Sequence, residues 1–454
     1  MNSKSNTIVF WFRCDLRLHD HPALQKALDI VRNARSGLDA GTAASKDTRF
    51  LPIICLPDFL EESAWGFSRM SALRRYWYLS AVRDLAEQFD NLACPVLICP
   101  ESATTALPRL AQSLNITEVV CEEIAAPFEQ EEVTALRASG LLVTTVWQSS
   151  LLDPADLPWI SAELPAVFTE FRQMVERAKI LPPKPIAVPT SFPPRPELDI
   201  PAHLQLTLDQ LVITEPTPEP RSSFAIGSGL FNGGERAALS HLNRYLNDRL
   251  PHTYKQTRNQ LMGLDYSSKW SPWLATGALS ARKIFAELKK FEAHHGANDG
   301  SYWLWFELLW RDYFRFLHVQ YGLQLYRARG LHDGPLPDKS AHRVEVFQRW
   351  CDGETGEALI DAAMRELKST GYLSNRLRQV VASYFIYQLH GDWRAGAAWF
   401  EAQLLDYDVY SNQGNWLYIA GRGTDPRGGR IFNVQKQVHD RDRDGVYRRT
   451  WGTL

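Results

Sequence analysis

No two of the six cysteines (Cys14, Cys55, Cys94, Cys99, Cys121, Cys351) form a C-x-x-C pair. That argues against a zinc ribbon or a four-cysteine iron–sulfur cluster, and no metal site is expected. Free thiols in a reducing compartment are the simplest reading. No stretch approaches the run of about 20 apolar residues that a membrane span needs. The N-terminal MNSKSNTIVFWFRC lacks a long apolar segment and a small-residue cleavage site. A soluble, cytoplasmic protein with no membrane partner is expected. No G-x-G-x-x-G follows the first apolar strand, where FRCDLRLHD stands instead, so the dinucleotide fingerprint is missing where it would matter. GSGLFNGGE (Gly227 to Glu235) has the wrong spacing for a phosphate loop and no strand before it. There is no internal repeat. A strong charge bias is missing too: net charge is -2, so overall charge does not signal a nucleic-acid partner. From Gly371 onward, 11 Lys/Arg stand against 8 Asp/Glu. That mild surplus fits an anionic partner or a solvated face.

What is present in excess is aromatic. Of 15 tryptophans, ten lie after residue 225. Helical cores account for most; stacking on planar ligands or electron transfer is the sharper use. The length of 454 residues, 45% hydrophobic, allows two or three domains with sizeable cores.

The first third alternates. TIVFWF, FLPIICL, PVLICP, EVVCEE and LLVTTVW read as strands, with helical periods in HPALQKALDIVRNAR, SALRRYWYLSAVRDLAEQF and ALPRLAQSL. Near-continuous apolar strands between helices predict a parallel, Rossmann-like α/β sheet covered on both faces. Residues 181–220 are proline-rich with little helical period and predict a long connector over the surface. From Gly233 the apolar spacing of three and four predicts an all-helical domain, with Gly371 as a C-cap. The expected division is 1–160 α/β, 161–225 linker and 226–454 helical.

Candidate chemistry lies in the helical part. In YSSKWSPWLATGALS, Ser267, Ser268 and Ser271 precede a helix and fit either N-capping or an anion site. In WFELLWRDYF, Glu307 shares a helix face with Trp310 and Arg311. This is either an exposed ion pair beside a core Trp, or an acid, a platform and a cation around one pocket. SNRLRQVV places Asn375, Arg378 and Gln379 along one side, with Arg376 pointing elsewhere. A buried Arg378 needs a carboxylate, and Asp406 and Asp408 are the nearest unexplained acids. In DYDVYSNQGNWLY the acids are two apart with no His, which gives neither a nucleophile–base set nor a zinc motif. A cradle for a flat polar ligand remains.

These segments, with FWFRCDLRLHDHPAL, YKQTRNQL, DAAMRELKSTGYLSNRLRQ, DWRAGAAWF and GTDPRGGRIFNVQKQ, occur in the order of the photolyase/cryptochrome family. The chain resembles that family over nearly its whole length. SPWLATG, SNRLRQ and DYDVYSNQGNWLY look like its DASH-type cryptochromes in particular. The resemblance implies an N-terminal α/β domain, a long linker and a C-terminal helical FAD domain. It implies cofactor contacts from Tyr254, Ser267, Ser268, Ser271, Arg311, Asn375, Arg378, Asp406, Asp408 and Asn412, with Arg378 paired to Asp406 and Asn412 facing flavin N5. The implied reaction is blue-light repair of cyclobutane pyrimidine dimers in DNA. Glu307 and Trp310 would hold the dimer, and Arg258, Arg376, Gln379 and Tyr418 would complete the DNA site.

Gln379 and Tyr418 follow the DASH pattern, where duplex photolyases often carry Met and Trp. This implies preference for single-stranded DNA, whose flipping cost is already low. Trp416 and Trp393 match the proximal and middle members of an electron relay, and the distal position falls at Ser340. Slow photoreduction is therefore expected. The resemblance also implies 5,10-methenyltetrahydrofolate as an antenna, with Glu123 as its ligand; a solvated acidic run explains CEEIAAPFEQEE equally. The chain ends at YRRTWGTL without a long tail, and a monomer is expected. The other class of function is a blue-light photoreceptor with little repair activity, since nearly the same cofactor shell serves both. A general flavin oxidoreductase lacks a visible nicotinamide site.

Overall fold

In β1 (Thr7–Phe12) every residue is buried. It is the centre of a five-stranded parallel sheet of order β3-β2-β1-β4-β5, formed with β2 (Arg49–Cys55), β3 (Leu97–Cys99), β4 (Ile116–Glu122) and β5 (Val143–Val146). The computed structural model describes residues 5–36, 47–157, 164–195, 197–333 and 343–452. Side chains of β1 alternate between two cores, as a period of two requires. Ile8, Phe10 and Phe12 pack in one with α1 (Pro22–Ser36) and α2 (Ala72–Asn91). Val9 and Trp11 pack in the other with α3 (Ala103–Leu114) and α4 (Pro127–Ala138). Strand order reverses between β1 and β4, so a crevice opens at their carboxyl ends.

The helix α4 departs from the sequence reading, which saw an acidic run at this place. Only Pro127, Val133 and Leu136 of α4 are buried, too few apolar positions to reveal the helical period. The linker also holds α5 (Phe168–Arg177). Beyond it, the proline-rich connector is irregular, and Leu206 bridges to Ile98 of the edge strand β3.

The helical body comprises α6 (Glu235–Asn247), α7 (Tyr254–Thr257), α8 (Ser271–Ala275), α9 (Ala281–His295) and α10 (Asp299–Tyr321). It continues with α11 (Val344–Asp352), α12 (Ala358–Thr370), α13 (Asn375–Tyr387) and α14 (Trp393–Gln403). The last three are α15 (Val409–Ala420), α16 (Val434–Arg441) and α17 (Val446–Trp451). Gly371 ends α12 at φ 66°, the left-handed C-cap its position predicts. Among the described residues no helix is long and apolar enough to cross a membrane.

Buried polar ties lock the α/β layer to the helical body. Asp20 pairs with Arg282 at 3.0 Å, Arg17 Nη1 donates to the Gly277 carbonyl, and Asp312 accepts from the Leu151 and Leu152 amides at 2.8 Å. Gly277 has φ 70°, and a Cβ there would overlap the Cys14 carbonyl. Gly277→Ala therefore meets both backbone strain and a clash with main chain. It should lower stability by at least ~2 kcal/mol, read as a fall in the denaturation midpoint at unchanged slope.

Candidate functional site

Two helices meet at the first cavity. Asn375, Arg378 and Gln379 of α13 face Asp406, Asp408, Asn412 and Trp416 around a space of about 80 Å³. Spacings of three and four from Asn375 put the α13 residues on one side, as the sequence predicts. Arg378 Nη2 reaches Asp406 Oδ2 at 2.9 Å, the pairing that a buried arginine required. Burial works against the Arg378 charge, and Asp406 more than offsets it, so its pKa is raised. The second Asp406 oxygen is buried with no hydrogen-bond partner among the described residues. DYDVYSNQGNWLY, read from sequence as a cradle, is largely a helix. Asp408 is the N-cap of α15, accepting from the Ser411 amide at 2.8 Å. It also pairs with Arg315 at 2.6 Å. Burial pushes the Asp408 carboxyl up, but Arg315 and Arg311 hold it well below the usual carboxylate range. Arg315 was missed in the sequence; its one signal was its place one turn after Arg311. Asn412 Nδ2 donates to the Ala397 carbonyl at 3.0 Å.

The three residues expected around one pocket on α10 diverge. With 3.6 residues per turn, positions i+3 and i+4 flank residue i about 100° apart. Glu307 therefore sits between two different surroundings. On one side, Trp310 stacks on Phe168 of α5 (centroids 3.8 Å apart, 13° between planes) and meets the edge of Tyr418 at 5.9 Å. One face of the expected platform is thus taken by a linker residue that carried no sequence signal. On the other side, Arg311 turns toward the α/β layer and donates to the Ser149 carbonyl at 2.5 Å and the Leu274 carbonyl at 3.4 Å. Burial, with Arg315 adding repulsion, pushes its pKa down to about 10. Among the described residues Arg311 is within ion-pair distance of no carboxylate.

Glu307 pairs with Arg258, not Arg311: Arg258 Nη1 lies 2.6 Å from Glu307 Oε1. The contact is close but misaligned, and neither atom makes a directed hydrogen bond. Burial raises the Glu307 pKa, and Arg258 opposes that rise without cancelling it. Arg376 does not point away from its neighbours as expected. Its Nη1 donates to Gln379 Oε1 at 3.0 Å and its Nη2 to Asn259 Oδ1 at 2.9 Å. Tyr418 accepts from Arg430 Nε at 2.8 Å. Arg258, Arg376 and Arg430 thus engage Glu307, Gln379 and Tyr418 in turn, and Arg430 also pairs with Asp425.

Tyr254 is buried at the start of α7, with the Arg258 guanidinium 5.9 Å from its ring centre. Ser271 opens α8, whose N-cap is Trp270 with no side-chain cap, so none of the three serines caps that helix. The Ser268 carbonyl faces His241 Nε2 at 2.9 Å, and the Ser267 hydroxyl faces the Tyr372 phenol. Trp416 lies across α14 at Gly396, where any Cβ would collide with its ring. Its ring neighbours are Phe400 (5.1 Å) and Trp350 (6.4 Å). Trp393, one turn before Gly396, donates its Nε1 to the Ala328 carbonyl at 3.0 Å. Ser340 lies outside the described residues.

A second cavity, of about 480 Å³, opens at the strand ends where the sheet order reverses. Arg13, Cys14, Cys55 and Glu122 line it from the sheet, and Arg311, Arg315 and Asp408 from the helices. Of the neighbours Glu122 and Glu123, it is Glu122 that lines the wall, because successive strand residues face opposite ways. Glu122 Oε2 is buried with no hydrogen-bond partner among the described residues, and burial pushes its pKa up to about 8.

Comparison with known proteins fits this arrangement. The family described as the FAD-binding domain of DNA photolyase matches residues 303–452, and the DNA photolyase family matches residues 8–190. A cryptochrome DASH from Gloeobacter violaceus is 38% identical, over 98% of this chain and 85% of that protein. The crystal structure of a Synechocystis cryptochrome superposes with a TM-score of 0.86 at 37% identity, covering 99% of this chain and 89% of the other. A bacterial class III photolyase from Agrobacterium tumefaciens gives 0.75 at 26% identity, covering 99% and 87%. The sheet with its crevice, the helical body with its paired Arg378 and Asp406, and near full-length identity to cryptochrome DASH proteins place the chain in the photolyase/cryptochrome family, among the DASH cryptochromes.

Proposed function

We propose that the chain repairs cyclobutane pyrimidine dimers with blue light, using FAD and preferring single-stranded DNA. Glu307 is the observation that carries the reading. It is a half-buried carboxyl with a raised pKa, one turn from Trp310 and paired with Arg258. The residues fit FAD: Asp406, on the wall of the first cavity, offers a buried acceptor with no hydrogen-bond partner among the described residues. FAD, when bound and reduced, supplies the light-driven electron that the dimer borrows and returns. Arg311, with the hydroxyls of Ser267, Ser268 and Ser271, holds the pyrophosphate. Arg378, Asp406, Asp408, Asn375 and Asn412 hold the ring system, with Tyr254 beside it. Glu307 donates a hydrogen bond to a dimer carbonyl, and Trp310 offers its remaining face to the flipped bases. Gln379 and Tyr418 form the rest of the wall, and Arg258 and Arg376 take the flanking phosphates. The protein acts as a cytoplasmic monomer built of units 1–160, 161–225 and 226–454. Glu122, in place of Glu123, holds a methenyltetrahydrofolate antenna through its unpartnered oxygen.

The test is repair of a dimer-containing oligonucleotide by reduced protein under blue light. Single strands should be repaired and the same sequence in duplex far more slowly, because opening the duplex costs a few kcal/mol. Equal rates would remove the strand preference. Loss of both activities, with binding intact, would favour the second reading, a photoreceptor. The stacking of Phe168 on Trp310 supports that reading, since it closes one face of the dimer platform.

Trp416, packed across Gly396, is assigned as the first tryptophan in recharging the cofactor, with Trp393 behind it. Light-driven reduction of the oxidised protein by an external reductant should be slow and should be abolished by Trp416→Phe. Fast reduction that Trp393→Phe stops and Trp416→Phe leaves alone would overturn the order.

A further inference from the structure

We propose that Cys55 and Cys99 are a redox-active dithiol on the wall of the second cavity, closing reversibly to a disulfide when peroxide enters it. They are direct register partners at the carboxyl ends of β2 and β3. Neighbouring strands run about 4.8 Å apart, inside the Cα separation of roughly 4.4 to 6.8 Å that a disulfide spans. Register partners in a parallel pair point to one face of the sheet, and both residues pack against the same core. The Cys55 thiol faces the Cys99 sulfur, which raises the pKa of Cys55 and lowers that of Cys99. Among the described residues no other two of the six cysteines are register partners. Cys121 pairs with Trp11 and Thr145, and Cys94 and Cys351 lie buried outside the strands.

Access separates the roles. Cys55 lines the cavity and Cys99 is fully buried behind it. The Cys55 sulfur attacks one peroxide oxygen; the O–O bond breaks, and the departing hydroxide leaves as water with the thiol proton. The Cys99 sulfur, whose lowered pKa favours the thiolate, then attacks the Cys55 sulfenic sulfur. The S–O bond breaks, and a second water carries off the Cys99 proton. Two thiols lose two electrons, and one peroxide becomes two waters. Cys14 is also on the cavity wall, but it lies beyond the end of β1, and among the described residues no cysteine is its register partner, so no resolving thiol stands opposite it. A bridge between adjacent strands is geometrically tight, and tight disulfides are the readily reduced, regulatory ones. The bridge would draw Cys55 off the wall and pin the start of the segment carrying Asp58 and Glu61, which also line the cavity. Cavity occupancy and thiol state are then linked reciprocally.

The experiment treats the flavin-loaded full chain with hydrogen peroxide, then maps peptides after blocking free thiols. A Cys55–Cys99 linked peptide that dithiothreitol removes is expected. It should be lost in Cys55→Ser and in Cys99→Ser, and kept in Cys14→Ser and Cys94→Ser, all with normal flavin content. A linkage from Cys55 to Cys14, oxidation of Cys55 to sulfinic acid without any link, or no reaction at peroxide levels that oxidise surface methionines would overturn the proposal. The readout is independent of repair, so its failure and that of the repair reading are distinguishable.

Discussion

Replacing Asp406 by alanine should leave the purified protein without its flavin. Asp406 is buried, and one oxygen is spent on Arg378 at 2.9 Å. The other has no hydrogen-bond partner among the described residues, and Asp406 lines the cavity where a cofactor with N–H donors would lie. Removing the carboxylate takes away that acceptor and strands the Arg378 charge. An unpaired buried charge costs about 3–5 kcal/mol, so the denaturation midpoint should fall as well. A second variant separates the two effects. Asp406→Leu with Arg378→Met replaces the ion pair by apolar groups of similar volume, which is often neutral for stability. That double variant should regain the midpoint and still lack flavin. Wild-type flavin stoichiometry in Asp406→Ala would refute the assignment.

The second large effect is at Glu307. Glu307→Ala should keep its flavin and lose about ten- to hundredfold in repair rate, the worth of one charge-assisted hydrogen bond. The protonated carboxyl is the donor in the proposed reaction. Burial raises its pKa, with Arg258 opposing. A raised carboxyl pKa extends the protonated form upward, so repair should be highest below that pKa and fall as pH rises through it. Glu307→Gln keeps a donor at every pH and should flatten this limb while retaining more activity than Glu307→Ala. An unchanged pH profile in Glu307→Gln would show that another group sets it.

The strands and most long helices were legible because burial imposes simple periods. β1 reads as an unbroken apolar run since both its faces are covered, and α13 shows Asn375, Arg378 and Gln379 at helical spacing. That Arg378 needs a carboxylate was legible because a buried cation demands a partner; the residues alone left Asp406 and Asp408 both open, and the family resemblance singled out Asp406. What was lost lay between segments or fell short of a period. α4 buries too little apolar surface to declare itself. Phe168 meets Trp310 from 142 positions away in sequence, and Arg258 takes Glu307 from outside its helix, where an intrahelical partner looked sufficient. Glu122 and Glu123 differ only by which side of β4 they face, and an acidic run does not reveal the phase of a strand. Even DYDVYSNQGNWLY, whose chemistry was legible, hid its geometry. Asp408 caps a helix and pairs with Arg315, a residue that the segment itself does not contain.

The central claim is that this pocket repairs dimers with light. It is tested most directly by one illumination of the reduced, flavin-loaded protein with a single-stranded oligonucleotide carrying one cyclobutane dimer, counting restored bases against a dark control. The account predicts restoration in the light only, and its loss in Glu307→Ala at unchanged flavin content. A light-exposed sample in which the dimer stays intact, although the oligonucleotide is bound, would contradict it.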